Sequence, residues 1–388
     1  MAGFTAGLYS NHGLVRFFWK TDTERKNGLM TISNQNDWLT RLSGLSASGA
    51  WANPTTAIPP KPTTSLIGKE WWAVWNYLGY NVGSCLVGAT GDDLYTTHSD
   101  TATSLHATNE NLNVIFSGGN TASATVAANI AKTKQDCFAV IGITQNSQIT
   151  QPVPATYDNH AKDFGPVGYT GANGANVVFV AGRKNFFMDY NGSGILDIDK
   201  IDVASDVAGC FGRMYRTTNE WSIPAGVKRG AINGVLALDQ TFSATEQTNL
   251  LERGVNPVVT LPGKGTYFMG NSTGAGASGA NPGVTFGVAN MHVVAILNYL
   301  KGSLKNIATD YLFEPNTDSN RNAFITRANT VLTNVKNAGN ISAFSVVCNP
   351  AENQGITFTA TVNITPVNVA ETISLKVVNN TTTEIYTL

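Results

Sequence analysis

The sequence predicts a fold of mixed α/β and α+β class, with two domains and extended N- and C-terminal arms. Between residues 105 and 220, continuous apolar strands alternate with helical segments. That order is typical of a sheet covered on both faces and containing parallel strand pairs. From residue 313 onward a helix is followed by a strand, a turn and two alternating strands. The length of 388 residues allows two hydrophobic cores.

The composition favours a subunit covered by neighbours. Only 13% of residues are charged, against about 25% in ordinary soluble domains, and such a surface costs little to desolvate. The alternative is a Gly- and Thr-rich β protein with an uncharged monomeric surface. A net charge of −1 excludes a basic footprint for nucleic acid or anionic membranes.

The cysteines and the hydrophobic pattern limit other functional classes. The four cysteines are far apart and include no C-x-x-C pair, so neither a disulfide framework nor a zinc site is expected. The N-terminus lacks the blocks of a signal peptide, and no window approaches 18 uninterrupted apolar residues. We therefore expect that the chain is assembled in the cytoplasm and is not inserted into a membrane.

The N-terminal fifth of the chain predicts an arm, a linker and a buried helix. Residues 1–20 are interpreted as an extended arm, with Val15 and Phe17 on one face. Residues 44–66 are rich in Ser, Ala, Pro and Thr, which is typical of a loop. The tryptophan-rich run 70–80 predicts a buried helix, although such a cluster can also bind sugars.

The next part of the chain supplies most of the predicted α/β elements. A capping box, Ser243-Ala244-Thr245-Glu246, opens one of its helices, which closes near Gly254. The predicted strands are 112–116, 137–143, 177–181, 258–261 and 266–269, and the predicted helices are 121–132, 203–216, 243–254 and 289–308.

The C-terminal part predicts an α+β unit. The helix 318–338 has an apolar stripe, Asn316 or Asp318 can cap its start, and Gly339 lies where a left-handed residue belongs. Strands are expected at 341–349 and at 356–364, the second stopped by Pro366. Residues 371–377 resume the same period-two alternation.

The order of these C-terminal pieces resembles that of contractile tail sheath proteins of phages, R-type pyocins and type VI secretion systems. The matching residues are Phe313-Glu314-Pro315-Asn316, Arg321, 346–353, Ile364-Thr365-Pro366 and Glu371-Thr372-Ile373, with Val207-Ala208-Gly209 and Trp221-Ser222-Ile223-Pro224-Ala225-Gly226 upstream. His12-Gly13 resembles a step in the N-terminal arm of some sheaths, but the residues after it depart from the family pattern.

The resemblance implies a structural role and a domain plan. Residues 1–20 would be an N-terminal arm, 21–283 an outer α/β domain, 284–370 an inner α+β domain joined by that arm, and 371–388 a C-terminal strand. Copies would form stacked rings around a tail tube in the virion and contract to drive the tube into the host envelope. The implied partners are the chain itself, the tail tube protein, and baseplate and tail terminator proteins. No enzymatic activity, cofactor, metal or direct nucleic-acid contact is expected.

Two kinds of site residue follow from this hypothesis. A terminal alternating strand is suited to main-chain pairing with a neighbour. Basic residues on a helix that faces the tube are suited to contacts with acidic tube residues. The inter-subunit strand residues are Thr372, Ile373, Ser374, Leu375, Lys376, Val377, Val15 and Phe17, and the tube-contact residues are Arg321, Arg327 and Lys336. An ordinary solvated helix face is the alternative for the cations.

Two motifs resemble enzyme signatures but lack their partners. Residues 274–279 match G-x-G-x-x-G, yet Pro282 interrupts the helix that must follow. Residues 270–274 match G-x-S-x-G around Ser272, but His292 is the only later histidine and no Asp or Glu lies between Ser272 and His292. A cytosolic α/β enzyme using the loop 270–283 therefore remains the weaker alternative, behind another self-assembling capsid or tube protein.

A third motif resembles a calcium loop. Residues 189–194 place oxygen-bearing side chains at positions 1, 3 and 5 and glycine at position 6. Lys200 occupies position 12, where the site needs a bidentate Glu. The Asn-Gly and Ser-Gly steps favour a surface hairpin over calcium binding.

Overall fold

The structure is a computed structural model that divides into two compact units, residues 1–298 (unit 1) and 299–388 (unit 2). The described residues are 4–10, 29–41, 66–89, 112–119, 121–143, 174–188, 197–252, 254–277, 289–349, 353, 356–367, 374–379 and 382–387.

Unit 1 contains the strands and helices of an α/β domain. The strands are β1 (Thr5–Ser10), β2 (Leu29–Ile32), β3 (Ser84–Ala89), β4 (Val114–Phe116), β5 (Phe138–Ile143), β6 (Val177–Ala181), β7 (Arg183–Met188), β8 (Asp197–Asp202), β9 (Ala237–Leu238), β10 (Val255–Leu261) and β11 (Gly265–Phe268). The helices are α1 (Gln35–Thr40), α2 (Leu66–Leu78), α3 (Thr121–Lys134), α4 (Ala204–Thr217), α5 (Ala244–Glu252) and α6 (Met291–Thr309), the last of which continues into unit 2.

An eight-stranded sheet in the order β11-β10-β6-β5-β4-β1-β3-β2 organises unit 1. The strands from β10 to β3 pair in parallel, and β11 and β2 are antiparallel at the two edges. Every residue of β5 and β6 is buried, as the continuous apolar runs predict for strands covered on both faces. The predicted α/β class with parallel pairs is confirmed.

Helices cover both faces of this sheet. On one face Ala127 and Ile130 of α3 share a cluster with Ile115 and Ala139. On the other face Phe211 of α4 packs against Phe138, with ring centroids 5.3 Å apart. There α2 also contributes Tyr77, whose ring stacks on Phe116 at 5.6 Å. Since adjacent residues of a strand point to opposite faces, the core lies in two layers.

The expectation of an arm over residues 1–20 needs correction at Thr5–Ser10. These residues form β1, which pairs with β3 on one side and with β4 on the other. Asn113 fixes the start of this strand, because its side-chain oxygen accepts the Thr5 N–H at 2.9 Å. Residues 11–28, which include Val15 and Phe17, lie outside the described residues.

A buried ion pair joins the elements on the α4 side of unit 1. Lys184 and Asp206 are 2% and 0% exposed, and Lys184 Nζ lies 2.7 Å from the Asp206 carboxylate. The same ammonium donates to Asn76 Oδ1 at 2.7 Å and to the Asn233 carbonyl at 2.8 Å. Tyr80 Oη donates to Asp206, and burial together with that carboxylate raises the pKa of Tyr80. Removing either charge would leave the other buried and unpaired, which is strongly destabilising.

Unit 2 consists of the end of α6, a long helix and two small sheets. Its further elements are α7 (Asp318–Asn337), β12 (Ile341–Val347), β13 (Thr361–Pro366), β14 (Ser374–Asn379) and β15 (Thr382–Thr387). Its core centres on Ile307, Phe324 and Ala328, with Phe358 packed edge-on against Phe324 at 5.3 Å. Gly339 follows α7 with a φ of 80°, as predicted for a left-handed helix end.

Two details of unit 2 differ from the sequence predictions. The cap of α7 is Thr317, whose side chain accepts the Asn320 N–H. The Asn316 side-chain oxygen instead accepts from Arg321, and its amide nitrogen donates to the carbonyls of Asn353 and Thr357. The predicted strand 356–364 is wrong at its start, since β13 begins at Thr361 and includes Pro366. The Thr359 N–H donates to the Asn353 side chain, so the backbone there binds side chains instead of a strand.

Within the described parts of the chain, no helix is long and apolar enough to cross a membrane.

A buried carboxyl group makes the stability of unit 1 depend on pH. The Asp202 side chain accepts the Ala204 N–H at 2.7 Å and lies beside Gly142, where a Cβ atom would come within 2.6 Å of it. Burial raises the pKa of Asp202 to about 7, helped by Asp206 and opposed by that hydrogen bond, Lys69 and Arg183. Because the folded chain holds this proton more tightly than the unfolded chain, stability falls as pH rises from about 4 to about 7.

We therefore expect that Asp202→Asn reduces the loss of unfolding free energy between about pH 4 and about pH 7. Above pH 7 the variant should be more stable than the wild type, by up to about 4 kcal/mol. The amide keeps the acceptor for Ala204 and removes the buried charge. Urea unfolding of both proteins across pH 5–8 measures the effect, with Asp136→Asn, at a half-exposed carboxylate, as the control. Parallel pH profiles for wild type and Asp202→Asn would contradict the assignment.

Candidate assembly interfaces

The two small sheets of unit 2 have edges that can accept another strand. Within the described residues, β12 pairs only with β13 and β14 only with β15. An edge strand presents a row of N–H and C=O groups that are available to another chain, and a two-stranded sheet alone is marginally stable. Unit 2 therefore carries the geometry that strand addition needs.

The first of these sheets has one face on the core. Along β12 the exposure alternates from Ala343 onward, with Phe344 and Val346 half-buried towards α7 and Ser345 and Val347 exposed. The register pairs Val346 with Val362 and Phe344 with Ile364. One face is thus fixed by packing, and the register of any strand added at the edge is constrained by the same alternation.

The second sheet contains part of the predicted inter-subunit strand. Ser374, Leu375, Lys376 and Val377 lie in β14, which pairs with β15 from Ser374↔Thr387 to Asn379↔Thr382. Thr372 and Ile373 lie outside the described residues. The strand β15 was not predicted from the sequence. Asn379-Asn380 indicates a turn before it, because asparagine favours turns between strands. The inter-subunit pairing itself stays a prediction.

The three predicted tube-contact cations lie in different surroundings. Arg321 is mostly buried, with a side chain 12% exposed. Its guanidinium donates to the Asn316 carbonyl at 3.0 Å, to Asn316 Oδ1 at 2.6 Å and to the Asp318 carboxylate. These contacts hold the turn before α7, so we assign Arg321 an intramolecular role.

Arg327 and Lys336 are the accessible members of the set. Arg327 is 49% exposed and lies 2.7 Å from the exposed Asp310 carboxylate, whose hydrogen bond raises the pKa of the arginine. Lys336 is exposed, with its Nζ 5.9 Å from the centre of the Phe344 ring. Both can reach a partner at low cost, because exposed ion pairs exchange readily with solvent.

The serine motif at 270–274 has a structural role. Ser272 Oγ donates to the Leu251 carbonyl at 3.0 Å, and its backbone N–H donates to Asn256 Oδ1 at 2.9 Å. Residues Gly274–Ala277 form a 3-10 turn, whereas a nucleophile elbow or a dinucleotide site needs an α-helix there. His292 is buried at the start of α6, where its backbone N–H is bound by Asn271.

The calcium-like motif connects β7 and β8, which form the antiparallel hairpin that its turn residues predict. The loop itself, 189–196, lies outside the described residues. Lys200 is paired with Asp239 at 2.5 Å. Among the described residues, no group of three potential ligands could hold a metal ion.

Sequence comparisons connect unit 2 with a known domain. Residues 288–379 match the family model of the phage tail sheath C-terminal domain. The tail sheath protein of Vibrio phage KVP40 is 28% identical over 187 residues, which cover 47% of this chain and 27% of that protein. The tail sheath protein of Enterobacteria phage T4 is 25% identical over 230 residues, which cover 58% and 33%. The chain thus spans about a third or less of these relatives.

Structural comparisons agree over almost the whole chain. A chain of the anti-feeding prophage baseplate aligns with a TM-score of 0.65 and 15% identity, covering 98% of this chain and 95% of that one. A chain of the PVC sheath complex in the contracted state gives 0.69 and 14%, covering 97% and 92%. At these low identities the structural matches show the fold. Taken together, the sequence and structural comparisons confirm the predicted resemblance to contractile tail sheath proteins.

The different surroundings of Arg321 and Arg327 lead to a stability prediction. Arg321→Met removes three charge-assisted hydrogen bonds of the turn before α7, and we expect unit 2 to lose about 1.5–3 kcal/mol. Arg327→Met removes an exposed pair, and its thermal midpoint should stay at the wild-type value. Thermal unfolding followed by circular dichroism compares the two, and equal midpoints would remove the special role of Arg321.

Proposed function

We propose that this chain, which carries a phage tail sheath C-terminal domain, is a structural subunit of a contractile tail sheath. Copies polymerise as stacked rings around a tail tube and contract to drive the tube into the host envelope. The observation that carries the proposal is the position of the family match, residues 288–379, on the region whose sheet edges have no strand partner among the described residues. The role is mechanical rather than enzymatic.

Main-chain strand exchange supplies the link between subunits. A strand from one copy that pairs with an open edge of β12–β13 or β14–β15 in the next copy makes hydrogen bonds largely independent of side-chain identity. Such a link tolerates rotation of the rigid bodies on either side of it. A lattice of this kind can shorten without dissolving.

The energy of contraction comes from packing in this proposal. If the extended lattice is a metastable arrangement and the contracted one buries more surface, shortening is spontaneous once it is triggered. Low charge helps, because only 13% of residues carry charges whose desolvation would oppose new contacts.

The proposed partners are further copies of the chain, the tail tube protein, and the baseplate and tail terminator proteins at the two ends. The sheath lies in the virion tail after assembly in the host cytoplasm. Arg327 and Lys336 are the proposed cations for the tube, since both are exposed on α7. Weak exposed pairs suit a contact that holds before contraction and releases during it.

Deleting residues 371–388 should leave a folded subunit that no longer polymerises. The segment continues the period-two alternation beyond Pro366, and its proposed pairing partners lie on a neighbour. Circular dichroism checks the fold, and negative-stain electron microscopy checks the polymers. Striated tubes are expected from the full chain alone. Full-length tubes from the truncated chain would contradict strand exchange through this terminus, and icosahedral shells or small oligomers from the full chain would contradict the sheath function.

Charge reversal on α7 tests the tube contact. Arg327→Glu with Lys336→Glu should reduce cosedimentation with purified tail tubes of the same phage at low salt, while tube-free sheath polymers persist. The matched control is Lys228→Glu with Lys264→Glu, which makes the same charge change at exposed positions of unit 1. Equal cosedimentation of both double variants with tubes would remove Arg327 and Lys336 from the interface.

A further inference from the structure

The turn between α6 and α7 displays two large apolar side chains to solvent. Leu312 is 63% exposed and Phe313 is 104% exposed. Exposed single apolar residues are common, but an aromatic side chain with no contact surface contributes little to its own fold. We call Leu312 and Phe313 the apolar knob.

The backbone of the knob is held in a costly conformation. Phe313 has a φ of 68°, in the left-handed region that bulky residues rarely adopt. Strain of this kind persists only where surrounding contacts enforce it, and it is concentrated at functional sites. Here the Glu314 N–H bonds to the Tyr311 carbonyl, and Arg321 holds the Asn316 carbonyl and side chain. The turn is thus stabilised with Phe313 pointing outward.

Unit 1 has an aromatic pocket of a size that fits such a knob. It is a cavity of about 640 Å³ whose apolar lining consists of Trp72, Trp75, Phe186, Val235 and Leu236. Trp72 meets Phe186 edge-on at 5.7 Å and Trp75 at 6.1 Å, which leaves rings arranged for further edge or face contacts. Leu236 is 49% exposed. The pocket therefore offers apolar surface that is accessible from outside.

The charged group in the pocket lining is already satisfied. Lys184 Nζ makes hydrogen bonds to Asn76 Oδ1, Asp206 Oδ1 and the Asn233 carbonyl, which use the three donors of an ammonium group. An anionic ligand would have to break these bonds. An apolar occupant needs none of them.

We infer that Leu312 and Phe313 of one copy insert into the aromatic pocket of a second copy. The knob and the pocket are different surfaces of the same chain, so the contact is heterologous, and a heterologous contact that does not close a ring produces an open helical polymer. This is the symmetry a sheath requires. The inference rests on the proposed function only in requiring that copies assemble.

Substitutions at Phe313 separate the contact from any role in folding. Phe313→Asn and Phe313→Gly fit the left-handed backbone and remove the aromatic ring, so the thermal midpoint should stay or rise. The critical concentration for polymerisation should rise at least about tenfold, as for an interface hot spot. Phe313→Leu keeps an apolar side chain and should polymerise close to wild type. Polymerisation of Phe313→Asn at the wild-type concentration would overturn the inference.

A cysteine pair tests the partner directly. Phe313→Cys combined with Leu236→Cys should give disulfide-linked ladders of subunits on non-reducing gels after oxidation of the polymers. The matched control combines Phe313→Cys with Val227→Cys, at an exposed residue outside the pocket lining, and the single variants report links to the natural cysteines. Polymers without pocket-specific ladders would overturn the contact and leave the sheath function standing. Failure of the wild-type chain to polymerise would overturn both.

Discussion

The backbone groups at the outer edges of β12–β13 and β14–β15 have no strand partner among the described residues, and the proposed function depends on this constraint. A soluble monomer usually blunts such edges with charges, prolines or bulges. Here Pro366 lies at the end of β13 and a register irregularity lies between Ile341 and Ala343, so the protection is confined to one end of the sheet. The rest of the edge has no strand partner among the described residues, and the proposed function assigns its pairing to another copy of the chain.

Unit 1 differs from these edges, because it is organised by a large sheet covered on both faces and by a buried ion pair. Its parallel strands are covered on both faces, and the buried Lys184–Asp206 pair is held by Asn76, Tyr80 and Asn233. A buried charge network costs stability unless every member is paired, so it favours one arrangement of the elements that contribute to it. In the proposed function a body of this kind would rotate as a whole, and the edges of unit 2 would provide connections that survive the rotation.

Sequence reasoning succeeded where one local pattern decides the structure. The runs 137–143 and 177–181 predict β5 and β6 to within one residue, since a continuous apolar run of that length must be buried on both faces. It failed at β1, whose partners β3 and β4 lie some 80 to 110 residues further along the chain. Such pairing depends on distant strands and has no local signal.

At the candidate interfaces the incorrect sequence predictions also result from contacts with distant parts of the chain. Asn316, Thr317 and Asp318 can each cap a helix, but Thr317 is the cap. The side chain of Asn316 is bound elsewhere, since its oxygen accepts from Arg321 and its nitrogen donates to the distant carbonyls of Asn353 and Thr357. Arg321 is basic, like Arg327 and Lys336, but its side chain is only 12% exposed and donates to Asn316 Oδ1.

The contacts of Asn316 also hold the turn that carries the proposed assembly surface. Holding Asn316 from both sides fixes the turn that contains the strained Phe313, so the contacts that sequence reasoning missed are those that present the apolar knob. A preformed knob loses little conformational freedom on binding, which matters for a lattice built from many weak contacts. In the inferred contact the exposed Leu312 and Phe313 would thus supply specificity for another copy.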